Sequence, residues 1–285
     1  MTEDRGIIAV APPLVWAIAG TDPSGGAGLP ADIKTLHALG VYAAPVVTAV
    51  LAQSSRRVLA IRRMPATLIC AQLEALRDES PPAAVKIGML GGAPAVRVVA
   101  EILSSTPAPV VCDPVLVSSG GTPLLDAPGR REFERELLPR VTVLTPNLLE
   151  ARRLTGLNAS SAPEIPPLAE RLLAMGPKAV IIKGGHLSSA FSADYYRDPH
   201  EAFWLVSPRL ARTPHGTGCV FSSAIAAALA KGQGCAEAVR TAKAYVHAGI
   251  HRVHAFGQGR PVILHPATPE AQDIPQVYPD LSWIP

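Results

Sequence analysis

Arg212-Thr-Pro-His-Gly-Thr-Gly-Cys219 leads directly into Val-Phe-Ser-Ser-Ala-Ile-Ala-Ala-Ala-Leu-Ala-Lys-Gly232. Pro214 stops the preceding strand, and Gly216 and Gly218 allow a tight backbone turn. The residues after Cys219 are rich in Ala, Ile and Leu and end at Gly232, which predicts a buried helix with a C-terminal stop. A glycine turn that feeds a helix start offers unpaired backbone N–H groups at the positive end of the dipole, a ready site for phosphate. Cys219 falls in the first turn, where the dipole favours thiolate. A plain Gly-containing helix start with a buried core Cys would read the same way, so the stretch alone does not choose.

Short apolar strands alternate with helices over most of the 285 residues. Strands are predicted at 14–19, 46–51, 84–89, 110–112, 141–144 and 179–182. Helices are predicted after Gly28 with Ile33, Leu36 and Leu39 inward, from Pro65 through Leu76, from Pro94, near 130–138, at 147–154 and at 168–175. This alternation predicts an α/β fold with a mostly parallel sheet and helices on both faces. Residues 194–197 and 203–206 read as an antiparallel edge hairpin, followed by helices around 218–231 and 236–252. One domain is expected over 1–260. Residues 261–285 hold six prolines and read as a surface tail.

Composition narrows the function. The chain is 48% hydrophobic and 17% charged, with a net charge of +3. No Lys/Arg run exceeds two, so there is no electrostatic footprint for nucleic acid. The Arg56-Arg57 and Arg62-Arg63 pairs read as a solvated face. Four cysteines (Cys70, Cys112, Cys219, Cys235) show no zinc spacing and suit a reducing compartment. Pro12-Pro13 and the acidic Glu3 and Asp4 argue against a signal peptide, and no apolar run is long enough to span a membrane. A cytoplasmic location is therefore expected.

Several motifs fail. Gly26-Ala-Gly28-Leu-Pro-Ala31 resembles a dinucleotide fingerprint, but after Asp32 no acidic residue occurs until Glu74, so the ribose partner is missing. There is no P-loop and no nucleophile elbow. His247, His251 and His254 share a helix face, which zinc can use. Without an intervening Glu or a fourth ligand they read as a partly exposed face.

Other residues converge. The loops 20–28, 113–121, 145–150 and 183–186 each follow a strand, at the edge where open α/β sheets bind ligands. They carry Asp22, Asp113, Asn147, Glu150, Lys183 and His186. Asn147 and Glu150 lie one helical turn apart, fit either to hold hydrated magnesium or to form a capping box. Lys183 follows a buried strand and suits a polyphosphate, or is an ordinary strand-end lysine. Asp32 and Gln53 are the specificity candidates, since a carboxylate and a carboxamide can read an aminopyrimidine edge. Their plainer readings are a first-turn acid and a loop residue bonded to backbone.

Six motifs occur in order: Ala19-Gly-Thr-Asp-Pro-Ser-Gly-Gly-Ala-Gly28, Thr48-Ala-Val-Leu-Ala-Gln53, Lys86-Ile-Gly-Met-Leu90, Thr145-Pro-Asn-Leu-Leu-Glu150, Lys183-Gly-Gly-His186 and His215-Gly-Thr-Gly-Cys219. On these the chain resembles the hydroxymethylpyrimidine/phosphomethylpyrimidine kinases of thiamine biosynthesis, in the ribokinase superfamily, from about residue 14 to 255. The resemblance implies a ribokinase-like three-layer α/β/α sandwich, a homodimer, and transfer of the ATP γ-phosphoryl group to a hydroxymethylpyrimidine and then to its monophosphate. It places Gly20, Asp32, Gln53, Met89 and Val115 around the pyrimidine. Gly216, Thr217, Gly218 and Cys219 become the catalytic anion hole, with Cys219 where most of the superfamily has an aspartate base. Asp113, Asn147 and Glu150 would organise Mg2+, and Lys183, Thr217 and Asn147 would meet ATP. The chain departs from the family at Pro30, at Ser54-Ser55, and at Ser118, where the family commonly has Lys. Two rival readings are a pyridoxal kinase of the same subfamily and a pyrimidine-binding sensor without turnover.

Overall fold

The computed structural model describes residues 11–118, 120–184 and 190–281; His186 lies outside them. Chain order begins β1 (Leu14–Gly20), α1 (Gly28–Ala38), β2 (Tyr42–Gln53), β3 (Val58–Arg63), α2 (Ala66–Glu79), β4 (Ala84–Ile87), α3 (Ala93–Ser104) and β5 (Val110–Cys112). It continues α4 (Ala127–Glu132), β6 (Val143–Leu144), α5 (Leu148–Thr155), α6 (Ile165–Leu173), β7 (Ala179–Ile182), β8 (Phe191–Arg197) and β9 (Ala202–Pro208). The last elements are α7 (Thr217–Ala230), α8 (Cys235–His251), β10 (Val253–His254), β11 (Val262–Ile263) and β12 (Gln276–Tyr278).

One ten-stranded sheet runs β12-β9-β8-β7-β6-β5-β4-β1-β2-β3. The strands from β2 to β7 pair in parallel through β1, β4, β5 and β6, and β3, β8, β9 and β12 pair antiparallel at the two edges. Alternate strand residues serve opposite faces, as the pleat requires. Trp16 and Ile18 join α2, α3, α5 and α6 in one core, while Val15, Ala17 and Ala19 join α1, α7 and α8 in the other. The predicted three-layer sandwich is what the chain forms. Helix α7 is buried along nearly its whole length, from Val220 to Leu229. Its Ala and Ser side chains let it lie close to the sheet between α1 and α8.

Three expectations need correction. Strand β2 is longer than predicted: Gly20 pairs with Ala49, and the chain then continues to Gln53 alongside β3. Hairpin β2–β3 thus stands beyond the carboxyl edge of the parallel strands. Strand β3 escaped detection because its residues are exposed or half-buried, so no apolar alternation marks it. In α1, Ile33 is exposed, and Leu36 with Leu29 faces the core.

The third correction concerns the proline-rich segment, which is not a surface tail over its described length. Strand β11 pairs with β10, and β12 adds an edge strand to β9. Ile263 and Ala267 are buried among α7 and α8 side chains. The described prolines, Pro261, Pro266, Pro269, Pro275 and Pro279, fall outside these short strands, where no ladder bond is lost.

Candidate active site

The two glycine turns, after β1 and before α7, pack directly on each other. Gly216 has φ +84°, and a Cβ there would lie 1.8 Å from the Gly26 carbonyl oxygen. Gly28 has φ +56°, with a Cβ position 2.5 Å from the Gly20 oxygen. Only glycine allows this contact. Asp22 ties the turns together. Its carboxylate accepts from Ser24 N–H and Ala27 N–H at 2.9 Å and meets His215 Nε2 at 2.8 Å, across 193 residues of sequence. Burial works to raise the Asp22 pKa, but bonds from His215, Gln53 and Ser24 prevail and hold it at about 2.

This packing aims the start of α7 into a cleft of about 720 Å³. The first intrahelical bond runs from Val220 N–H to Gly216 oxygen, so the N–H groups of Thr217, Gly218 and Cys219 have no partner within the helix. Facing them are Asp113, delivered by β5, and Lys183, delivered by β7. Lys183 Nζ lies 2.9 Å from Asp113 Oδ1. A Cβ on Gly218 would sit 3.1 Å from Asp113 Oδ2 and 3.3 Å from Lys183 Nζ. Helix start, cation and carboxylate therefore meet at one point.

Glu150 completes this centre. Asn147 Oδ1 accepts from Glu150 N–H and Glu150 Oε2 accepts from Asn147 N–H, each at 2.9 Å. The capping box is real, and both residues also line the cleft. Burial foremost, then repulsion from Asp113, pushes the Glu150 carboxyl up to about 7 against the pull of Lys183. Two buried carboxylates that repel each other suit a hard divalent cation, which prefers oxygen ligands.

The cleft continues over the ends of β1, β2 and β4 into an apolar recess. Gly20, Gln53, Met89 and Val115 line it, with Leu51 and Leu124 behind. Gly20 is required by space: a Cβ would lie 3.0 Å from Leu51 Cδ1 and 3.2 Å from the Met89 sulfur. Pro208, Leu210, Val246 and Ile250 add further apolar lining to the same cleft.

Of the predicted site residues, Gly20, Gln53, Met89, Val115, Asp113, Asn147, Glu150, Lys183, Gly216, Thr217, Gly218 and Cys219 all line this cleft. Asp32 does not. It is wholly buried in α1, with Oδ2 2.8 Å from Lys86 Nζ and Oδ1 accepting from Ser223 Oγ at 2.9 Å. Its carboxylate is already committed to Lys86 and Ser223, and Lys86 itself is wholly buried behind the cleft wall. Cys219 is half-buried; burial, aided by Asp32 and Asp113 and opposed by Lys86, pushes its thiol up to about 11, against the pull of the helix start toward thiolate. Pro30 sits in the first turn of α1 without displacing its start at Gly28. Ser118, in place of a Lys, accepts from Thr122 N–H at 3.0 Å within a tight turn beside the cleft.

His215 and Lys86 were missed as site residues. Lys86 had a signal, being the single charge in the apolar run Ala84–Ile87, where a buried ammonium requires a counter-charge. His215 had none, because its partner is distant in sequence.

The family model described as phosphomethylpyrimidine kinase matches residues 22–263. The chain belongs to that family. It is 45% identical over 251 residues to the hydroxymethylpyrimidine/phosphomethylpyrimidine kinase of Streptomyces coelicolor, covering 88% of this chain and 93% of that one. Identity to the enzyme of the same name from Rhizobium meliloti is 42%, covering 88% and 96%. Among solved structures, the pyridoxal kinase of Staphylococcus aureus in complex with AMP-PCP and pyridoxal superposes with a TM-score of 0.84 at 32% identity, covering 94% and 98%. The phosphomethylpyrimidine kinase of Clostridium difficile gives 0.73 at 35%, covering 82% and 97%. The fold is thus that of kinases, and the chain is a phosphotransferase of the phosphomethylpyrimidine kinase family.

Proposed function

We propose that this enzyme uses ATP to phosphorylate 4-amino-5-hydroxymethyl-2-methylpyrimidine and then its monophosphate, supplying the diphosphate for thiamine biosynthesis. The observation that carries the reading is the convergence at Gly218, where a helix start, Lys183 and Asp113 meet within van der Waals reach of one missing Cβ. Phosphoryl transfer asks for charge neutralisation and alignment more than for covalent chemistry. Lys183 and the N–H groups of Thr217, Gly218 and Cys219 face the transferred group, and the apolar wall at Leu210, Val246 and Ile250 takes the nucleotide base.

The recess at Gly20, Met89 and Val115 takes the pyrimidine. Gln53 stands near enough to Asp22 to help lower its pKa, and its carboxamide oxygen would accept from the 4-amino group. Cys219 enters as a thiol and positions the hydroxymethyl oxygen. The transition state is loose, so that hydroxyl needs no strong base, and in the second transfer the acceptor is already anionic. Asp113 and Glu150, with Asn147 beside them, would hold Mg2+. Bound there, the ion would neutralise charge on the β- and γ-phosphates.

The same reading makes the enzyme a cytoplasmic homodimer. Exposed Tyr42, Val50 and Leu59 on β2 and β3 offer the apolar surface for a second copy. Among the described residues no helix is long and apolar enough to cross a membrane.

The test is Mg2+-dependent ADP release with hydroxymethylpyrimidine, its monophosphate and pyridoxal. Turnover of both pyrimidines is expected. Pyridoxal turnover far above both would shift the assignment to the vitamer of the structural relatives. Saturable ring binding without ADP release would leave a sensor.

A further inference from the structure

The histidine face of α8 gains a partner from the C-terminal segment. His247 Nδ1 lies 2.8 Å from Asp273 Oδ1, and His251 Nε2 lies 3.8 Å from the same oxygen. The ligand atoms of all three residues fall within 4.8 Å of one another. Tetrahedral zinc holds nitrogen and oxygen ligands at about 2.0–2.2 Å, which sets them roughly 3.3 Å apart. The observed spacings bracket that value, so small side-chain rotations suffice.

The surroundings are those of a supported ligand set. His247 Nε2 faces the Pro208 carbonyl oxygen at 3.3 Å, the outer bond that commonly orients a metal-bound imidazole. Asp273 Oδ2 accepts from Glu270 N–H at 2.9 Å, leaving Oδ1 for the cluster. If Nε2 donates to Pro208, Nδ1 carries a lone pair, and it then faces a carboxylate oxygen at 2.8 Å. Two acceptors at that distance require a cation between them, a proton or a metal. The second imidazole at i+4, directed at the same oxygen, favours the metal. His251 is 45% exposed, which provides the entry path and room for a water ligand.

We propose that His247, His251 and Asp273 form a site for a first-row transition-metal dication, sharing no ligand with the Asp113–Glu150 centre although His247 lines the same cleft, that staples the C-terminal segment to α8. The donor set of two imidazoles and one carboxylate suits zinc, cobalt or nickel rather than magnesium.

The test uses untagged full-length protein, stripped of metal and free of nucleotide, titrated with Zn2+ by calorimetry and with Co2+ by visible absorption. One equivalent is expected, with a Co2+ spectrum lacking thiolate charge-transfer bands and with a higher Tm in Zn2+. His251→Ala, at an exposed position, should weaken binding by about a hundredfold or more, since even outer partners of ligands command about 10–100-fold. Asp273→Asn should do the same. Absence of saturable Zn2+ binding would overturn the site and leave a proton between His247 and Asp273. Unchanged affinity in both variants, or thiolate bands, would overturn it by placing the metal elsewhere.

Discussion

Asp32 Oδ2 lies 2.8 Å from Lys86 Nζ, and neither side chain reaches solvent. Ser223 of α7 holds the other carboxylate oxygen. The pair therefore joins α1, β4 and α7 directly beneath the catalytic cleft. Breaking a buried pair leaves one charge uncompensated, at a cost of about 3–5 kcal/mol. Lys86→Met alone should lower stability by that amount in urea unfolding. The double variant Lys86→Met with Asp32→Leu should recover much of the loss. A cost for the single variant below about 1 kcal/mol would mean that the pair behaves like an exposed one.

The Glu150 carboxyl, held at about 7 by burial and by Asp113, sets a pH dependence. Because its pKa is raised on folding, its contribution favours the fold below the unfolded carboxylate range and is lost as pH rises through about 7. Glu150→Gln should remove that loss, so the stability of wild type relative to the variant should fall between the ordinary carboxylate value of 4.5 and about 7. Mg2+ affinity should run oppositely, rising through the same window in wild type and staying flat in the variant. Parallel pH profiles for the two proteins would contradict this assignment.

Two neighbouring glycines should fail differently. Gly216→Ala places a Cβ 1.8 Å from the Gly26 oxygen at φ +84°, so loss of the folded protein is expected. Gly218→Ala meets only Asp113 and Lys183 side-chain atoms, at 3.1 and 3.3 Å. It should fold with a near-normal Tm and lose about 10²-fold in kcat, because the added methyl crowds Asp113, Lys183 and the group they would position, and misplacement by about 1 Å costs that much.

Cys219 should behave as a thiol. With its pKa pushed up to about 11, its alkylation by iodoacetamide, followed by peptide mass spectrometry, should rise about tenfold per pH unit above neutrality. Cys219→Ser should keep activity within about tenfold and leave the pH profile of kcat in place, as general-base roles contribute about 10²–10⁴-fold. Alkylation that levels off below pH 8, a thiolate range, would restore Cys219 as a candidate base.

The C-terminal segment should contribute to stability. Ile263 is buried against Gly249, where a Cβ would lie 2.8 Å from Ile263 Cγ2. Ile263→Ala should cost about 2–5 kcal/mol by denaturant unfolding. A surface tail would show no measurable change.

The alternating strands and helices, the parallel core and the glycine turns were legible in the sequence. Each depends on local signals: apolar runs of strand length, helix stops, and turns that only Gly can make. Nearly all of the residues that the sequence singled out for the site do fall in one cleft, since topology places the ends of parallel strands on one edge. What it could not carry were pairings between distant positions. Asp32 read as a ligand contact because its first-turn place was visible, whereas Lys86 and Ser223, which neutralise and bind it, lie 54 and 191 residues away. His215 finds Asp22 only when the two glycine turns pack. Strand β3 has no apolar periodicity of its own, and β12 exists because β9 offers an edge. The raised pKa of Cys219 is likewise a tertiary effect, since burial and two carboxylates distant in sequence act on its thiol.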